Sequence, residues 1–442
     1  MVVTIVVLLI LAGVSISLIV DNNGIIKRSK DARNKYGEAK DNEQAQMSGV
    51  SDWIDNQVGG NGGTSKPIKV GVNEKATSNG TINGEEGNSN NPTIPEGYTP
   101  INTTTSNWGD GSTTPTQNAV DHGLVIRDGN NNEWVWVPVD KETLATMYET
   151  SSDEKILCGT TGETAVKTKL YSKTITIGTE SNTKTMSRTE PGTSTTNSYR
   201  EPDLIVESGG SSYDAKEEYY KTILGFESKD KMAEAFVADY NEMIASIEKY
   251  GGFYIGRYEL SESGVKKDQP TLTNTNWYNL YKKCKELKAS NKVEARMIWG
   301  CQWDVTCNFI ANKGDKKSIT DSSSWGNHYN TSVKADDGTT ELKASGTSSK
   351  LNTGKTTFTI ANNIYDLAGN CQEWTQEADS ADGRAVRGGD YSYNGSNRPA
   401  SYRSSVGPDD DSYGGLRFSS HFNNKAALNA RAWAPVWRII IK

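Results

Sequence analysis

The residues best suited to nucleophilic, redox or soft-metal chemistry in this 442-residue chain are five cysteines (Cys158, Cys284, Cys301, Cys307 and Cys371) and three histidines (His122, His328 and His421). An odd number of thiols leaves at least one sulfur free and makes no regular disulfide framework. Cys301 and Cys307 stand six positions apart, unlike the close Cys pairs of zinc sites, and the histidines are remote from one another and from any cysteine or carboxylate cluster. A zinc site is not expected. Residues suited to recognition are concentrated in 390–413, DYSYNGSNRPASYRSSVGPDDDSY. Tyr gives rigid amphipathic contact, while Ser, Gly and Asn give adaptable hydrogen bonds, as in antibody paratopes. Asp390, Tyr391, Tyr393, Asn394, Asn397, Tyr402 and Tyr413 are the candidate ligand-binding residues. Asp409, Asp410 and Asp411 read as a solvated acidic turn.

Such loops need a rigid core to hold them. Eleven Trp and twenty Tyr allow one, while 34% hydrophobic content and 42 Gly favour a loop-rich surface protein over a compact helical enzyme. The net charge of −7 gives no electrostatic footprint for nucleic acid, which is excluded as a designed partner. From residue 95 the pattern predicts a hairpin with its turn at 128–132 and a Trp/Val-rich strand over 133–139. A hairpin-like insertion is expected over 160–200. Helical periodicity marks 229–250, 275–290 and 297–313, with a strand over 251–260. Residues 314–358 read as a polar loop region, and short strands and turns follow from Ile360. In the tail, Trp433, Val436, Trp437 and Ile439 to Ile441 read as a closing strand or a contact with a neighbouring subunit.

Residues 2–20, VVTIVVLLILAGVSISLIV, carry no charge. About twenty such residues span a bilayer as a helix. The following DNNGIIKRSKDARNKYGEAK keeps a loose helical stripe through Ile25, Ile26, Ala32 and Tyr36. One long helix is expected, apolar and then amphipathic, with a break near 22–24. These residues resemble the N-terminal helix of type IV pilins and pseudopilins. The resemblance implies a helix that waits in the cytoplasmic membrane and then packs a filament core through Val6, Leu9, Ile10, Ala12 and Gly13. The family's short basic leader and the acidic residue near the start of its mature helix are not among the residues of this run. The same run also serves a plain single-span tether.

The blocks EWVWVPV (133–139), GGFYIGRYEL (251–260), MIWGCQWDVTCNFI (297–310), NNIYDLAGNCQEWT (362–375), RAVRGGDYSYN (384–394), RPASYR (398–403) and GGLRF (414–418) resemble, in order, the formylglycine-generating-enzyme-like (sulfatase-modifying-factor) domain, a C-type-lectin-like fold. Oxidases of that family hold copper with two thiolates just after the RGG turn. Here Tyr393 and Asn397 stand near those positions and no cysteine follows Cys371. The resemblance therefore implies a binder, not an oxidase, and no copper. It also implies a structural calcium at the turn of Gly369, Asn370, Cys371 and Glu373, whose hard oxygens suit that ion, and ligand-binding loops of the kind diversified by retroelements. Arg387, Arg403 and Arg417 read as buttresses against carboxylates.

The expected fold is α+β: a helix over 1–58, a Gly/Ser/Asn-rich linker over 59–94, and a loop-rich C-type-lectin-like domain over 95–442. The expected function is that of a filament subunit at the bacterial cell surface. It assembles with copies of itself and adheres to a protein or glycan ligand. The alternatives are a membrane-tethered receptor that does not polymerise and a formylglycine-generating-type oxidase.

Overall fold

The computed structural model describes residues 68–147, 154–158, 166–169, 174–177, 184–187, 216–287, 293–380, 383–409, 422–424 and 426–430. The helix expected over 1–58 with its filament-core residues, Tyr413, the GGLRF block and Trp433 to Ile441 lie outside the described residues. Among the described residues no helix is long and apolar enough to cross a membrane.

The structure is mixed α+β, with several small sheets and few helices. It begins with β1 (Ile68–Lys69), β2 (Gly80–Thr81), β3 (Thr99–Ile101), α1 (Gln117–Asp121), β4 (Val125–Arg127) and β5 (Glu133–Pro138). After α2 (Lys141–Met147) come two antiparallel hairpins, β6 (Glu154–Cys158) with β7 (Val166–Lys169) and β8 (Thr174–Ile177) with β9 (Lys184–Ser187), where a hairpin-like insertion is expected. The middle holds α3 (Lys229–Tyr250), β10 (Gly252–Gly256), α4 (Trp277–Glu286), β11 (Val293–Met297) and α5 (Gly300–Asn312). The last part holds β12 (Val333–Lys334), β13 (Glu341–Lys343), β14 (Ile360–Ala361), β15 (Ile364–Tyr365), β16 (Gln372–Ser380), β17 (Gly383–Arg387), β18 (Arg403–Val406), β19 (Phe422–Asn424) and β20 (Ala426–Ala430).

The main sheet runs β11–β20–β10–β5–β4–β3, antiparallel throughout. Its centre follows from the apolar run EWVWVP, buried along the strand, with Trp136 opposite Tyr254 and their rings 4.9 Å apart. The turn before it closes because the Asp128 carboxylate accepts the N–H groups of Asn130 and Asn132, at 2.8 and 2.9 Å. Helix α3 starts where the Ser228 hydroxyl accepts the Lys231 N–H and stops at Gly251 in the left-handed region, φ 74°. Its buried face is Met232, Phe236, Tyr240, Met243 and Ile247, at helical spacing. Phe236 stacks on Trp277 and Tyr281 of α4, with centroids 5.8 and 4.9 Å apart. β20 inserts between β10 and β11.

Residues 67–442 form one compact unit. Most of the expected linker therefore belongs to the folded unit. Val70, Ala76, Ile82 and Ile94 are buried, and Ser89 O accepts the indole N–H of Trp136 at 2.9 Å. The asparagines that read as flexible instead close local turns. Asn83 accepts the Glu85 N–H, and Asn88 accepts those of Asn90 and Asn91.

A second sheet, β18–β17–β16–β19, packs on α5 through charge. Arg387 of β17 is 2.7 Å from Asp304 of α5 and 3.4 Å from Glu377 of β16, and Arg403 of β18 reaches the same carboxylates at 3.2 and 2.9 Å. Three of these side chains are fully buried and Arg403 is 9% exposed. The buttress reading of Arg387 and Arg403 matches this geometry. Removing one partner strands buried charge, which costs about 3–5 kcal/mol. Arg387→Met should lower the unfolding free energy by that much in denaturant titration, and a loss of under about 1 kcal/mol would contradict a fully desolvated network.

Candidate functional site

Beyond Arg387 the backbone turns sharply at Gly388 and Gly389, with φ 88° and 71°. A Cβ on Gly389 would lie 1.9 Å from Arg398 O, so only glycine lets the returning chain pass. This turn opens the loop of residues 390–402. The neighbouring loop of residues 322–331 pins it: Ser322 N donates to Gly395 O, Tyr329 N to Tyr393 O, and Gly395 N to Asn330 Oδ1, at 3.0–3.1 Å. Beneath, the Trp303 indole N–H donates to Ala400 O at 3.1 Å.

The expected ligand-binding residues separate into two sets. Asp390 is buried. Its carboxylate accepts the Ser392 N–H at 2.7 Å and the Gln372 amide at 2.5 Å, so it shapes the loop from inside instead of facing a ligand. Tyr391, Tyr393, Asn394 and Tyr402 are half-buried and Asn397 is exposed, all on the outer side of the same loop. Sequence reasoning missed Arg398, whose guanidinium carbon lies 3.4 Å from the Tyr393 ring centre and 4.9 Å from that of Tyr402. It also missed Tyr329, 42% exposed beside Tyr393. Only the two tyrosines flanking Arg398 hinted at the stack, and nothing local marked Tyr329.

The turn where calcium is expected is tied to three other segments through Asn370. Asn370, buried at φ 55°, accepts two hydrogen bonds at Oδ1, from Asn327 Nδ2 and Leu351 N, and donates from Nδ2 to Glu259 at 2.6 Å. Cys371 N donates to the same Glu259 carboxylate, and burial pushes the Cys371 thiol well up. The side-chain oxygen of Asn370 is thus spent within the protein, and Glu373 is enclosed with its Oε2 against Gly388. Among the described residues, the carboxylates close enough to hold a metal ion are Asp239, Glu242 and Glu294, within 4.8 Å of one another. Arg296 already sits on all three, at 2.8, 2.6 and 2.7 Å. Burial raises the Asp239 pKa despite Arg296.

Two buried bases lie under the loop. His328 bonds Ser322 Oγ at 2.8 Å, and burial lowers its pKa to about 4. Lys343, 3% exposed, donates from Nζ to the carbonyls of His328, Thr331 and Thr347, at 2.6, 2.8 and 3.2 Å. A separate cleft of about 300 Å³ lies between α1, α2 and α5, and no residue of the 390–402 loop lines it. Several of its polar side chains already pair with each other or with nearby backbone, such as Gln117 with Asp121 and Asn312 with Asn308.

Two predictions follow from these charges. Arg296→Gln should cost a few kcal/mol (about 3) and make the melting temperature rise with added calcium, whereas chelation should leave the wild type unchanged. A wild-type melting temperature that falls on chelation would contradict Arg296 as the resident cation. His328 is neutral in the fold and has an ordinary pKa of 6.5, so its contribution is complete above that value and declines as pH falls towards about 4. The loss amounts to about 3 kcal/mol. Melting curves from about pH 7 to about pH 4 should show a steeper decline for the wild type than for His328→Gln.

No family model matches the chain, and no curated protein matches it. Among solved structures, the chain is similar to Treponema denticola variable protein 1, with 15% identity and a TM-score of 0.27 over 41% of this chain and 85% of that one. It is also similar to CarF, with 13% identity and a TM-score of 0.25 over 41% of this chain and 87% of that one. Likeness at this level carries no argument about function.

Proposed function

We propose that the chain is a pilin-like subunit of an extracellular bacterial filament, and that its outer domain, of the formylglycine-generating-enzyme-like C-type-lectin kind, binds a ligand without catalysis. The apolar run of residues 2–20 supports assembly. Burying most of it at ~25 cal/mol/Å² gives on the order of tens of kcal/mol per subunit before ordering costs. The membrane offers the same burial, so extraction into a filament needs a dedicated machine.

The observation that carries the binding reading is the 390–402 loop. Buried charge and a two-glycine turn fix it from beneath, and it shows Tyr393, Arg398, Tyr402 and the neighbouring Tyr329 on its outer side. Rigid aromatic anchors among small polar residues give contact area at low entropic cost. Burial pushes the Cys284 and Cys371 thiols up, against the thiolate state that copper ligation and nucleophilic attack need.

Electron microscopy of material sheared from producing cells, with an antibody against residues 95–442, tests the filament. Labelled fibres are expected. Label confined to membrane fragments would overturn polymerisation in favour of a tethered receptor. Leu9→Lys or Gly13→Trp should abolish fibres and leave the melting temperature of the outer domain unchanged, and fibres surviving in both variants would contradict a core role for these residues.

A further inference from the structure

The Arg398 guanidinium is held in an unusual way. Both its ring neighbours, Tyr393 and Tyr402, lie within cation–π range. Nη1 is 3.6 Å from Asp390, too long for a hydrogen bond. The Asp390 oxygens accept from Ser392 and Gln372, and at 3.6 Å the pair with Arg398 is an ionic contact without a hydrogen bond. Nε and Nη2 donate to no described residue, and neither is buried. The side chain is 22% exposed. A guanidinium held close to two tyrosine rings, with Nε and Nη2 donating to no described residue, is pre-organised for a bidentate oxyanion, because part of the rotamer entropy of a free arginine is already lost.

The geometry points to Arg398 as the anchor for a carboxylate on an acidic protein partner, an Asp or Glu side chain docking beside Tyr393 and Tyr402. This rests on the adhesive reading of the same loop. A protein fits better than an acidic glycan, since Arg398 already engages both tyrosine rings that a sugar ring would stack on. Exposed Tyr329 and the amides of Asn394 and Asn397 add the amphipathic surround of a protein contact.

The test uses the full chain in detergent micelles on an array of short random peptides beside an array of acidic and neutral oligosaccharides. Wild type, Arg398→Lys and Arg398→Gln are compared, with melting temperatures as the folding control. The expected result is binding to peptides enriched in Asp and Glu, weakened at least about tenfold in Arg398→Lys, which keeps the charge but loses the fork. Acidic enrichment that survives in Arg398→Lys, or peptide binding without acidic enrichment, overturns the carboxylate anchor and leaves the adhesive reading standing. Binding to acidic oligosaccharides alone overturns the protein partner. Binding to neither array overturns the anchor. If Tyr391→Ala with Tyr329→Ala also leaves cell adhesion unchanged, the adhesive reading falls with it.

Discussion

Four buried charges fix the face of this molecule that carries the 390–402 loop. Asp304, Glu377, Arg387 and Arg403 come from a helix and three adjacent strands, and each is compensated only if all four arrive together. A one-residue slip of any strand would turn its charge to the opposite face and leave the others stranded. The register of β16, β17 and β18 is thereby tied to α5. The segment just beyond Arg387 inherits that register: the glycine turn, the 390–402 loop and the cluster of Tyr393, Arg398 and Tyr402. A surface made mostly of irregular backbone is held in place by charge balance beneath it.

Local chemistry made much of the fold legible. Ser228 and Gly251 bracket α3, Asp128 closes the turn before β5, and the spacing of Met232, Phe236 and Tyr240 gives the buried face. Long-range pairing was not legible. AALNA of β20 has weak strand character of its own, and its place between β10 and β11 depends on partners far earlier in the chain. Composition also misled at 68–94, where few apolar anchors suffice because asparagine side chains supply the turns.

The candidate site was legible by residue type but not by direction. Tyr393, Asn394, Asn397 and Tyr402 do share the outer side of one loop, while Asp390, adjacent in sequence to Tyr391, points inward to Gln372. Asn370 likewise turns its amide to Glu259, Asn327 and Leu351. In both cases the deciding partner lies in another segment, and no spacing rule reveals it. Arg398 escaped notice for the same reason, since its placement depends on how closely the chain returns past Gly389.

The three carbonyls around Lys343 Nζ are hard oxygen donors of the kind that could otherwise hold a metal cation. Here the positive charge is covalently part of the chain. It has no dissociation constant, and no competitor or dilution can remove it. The 322–331 loop, and with it the underside of the 390–402 loop, should keep its shape as the ionic composition of its surroundings changes.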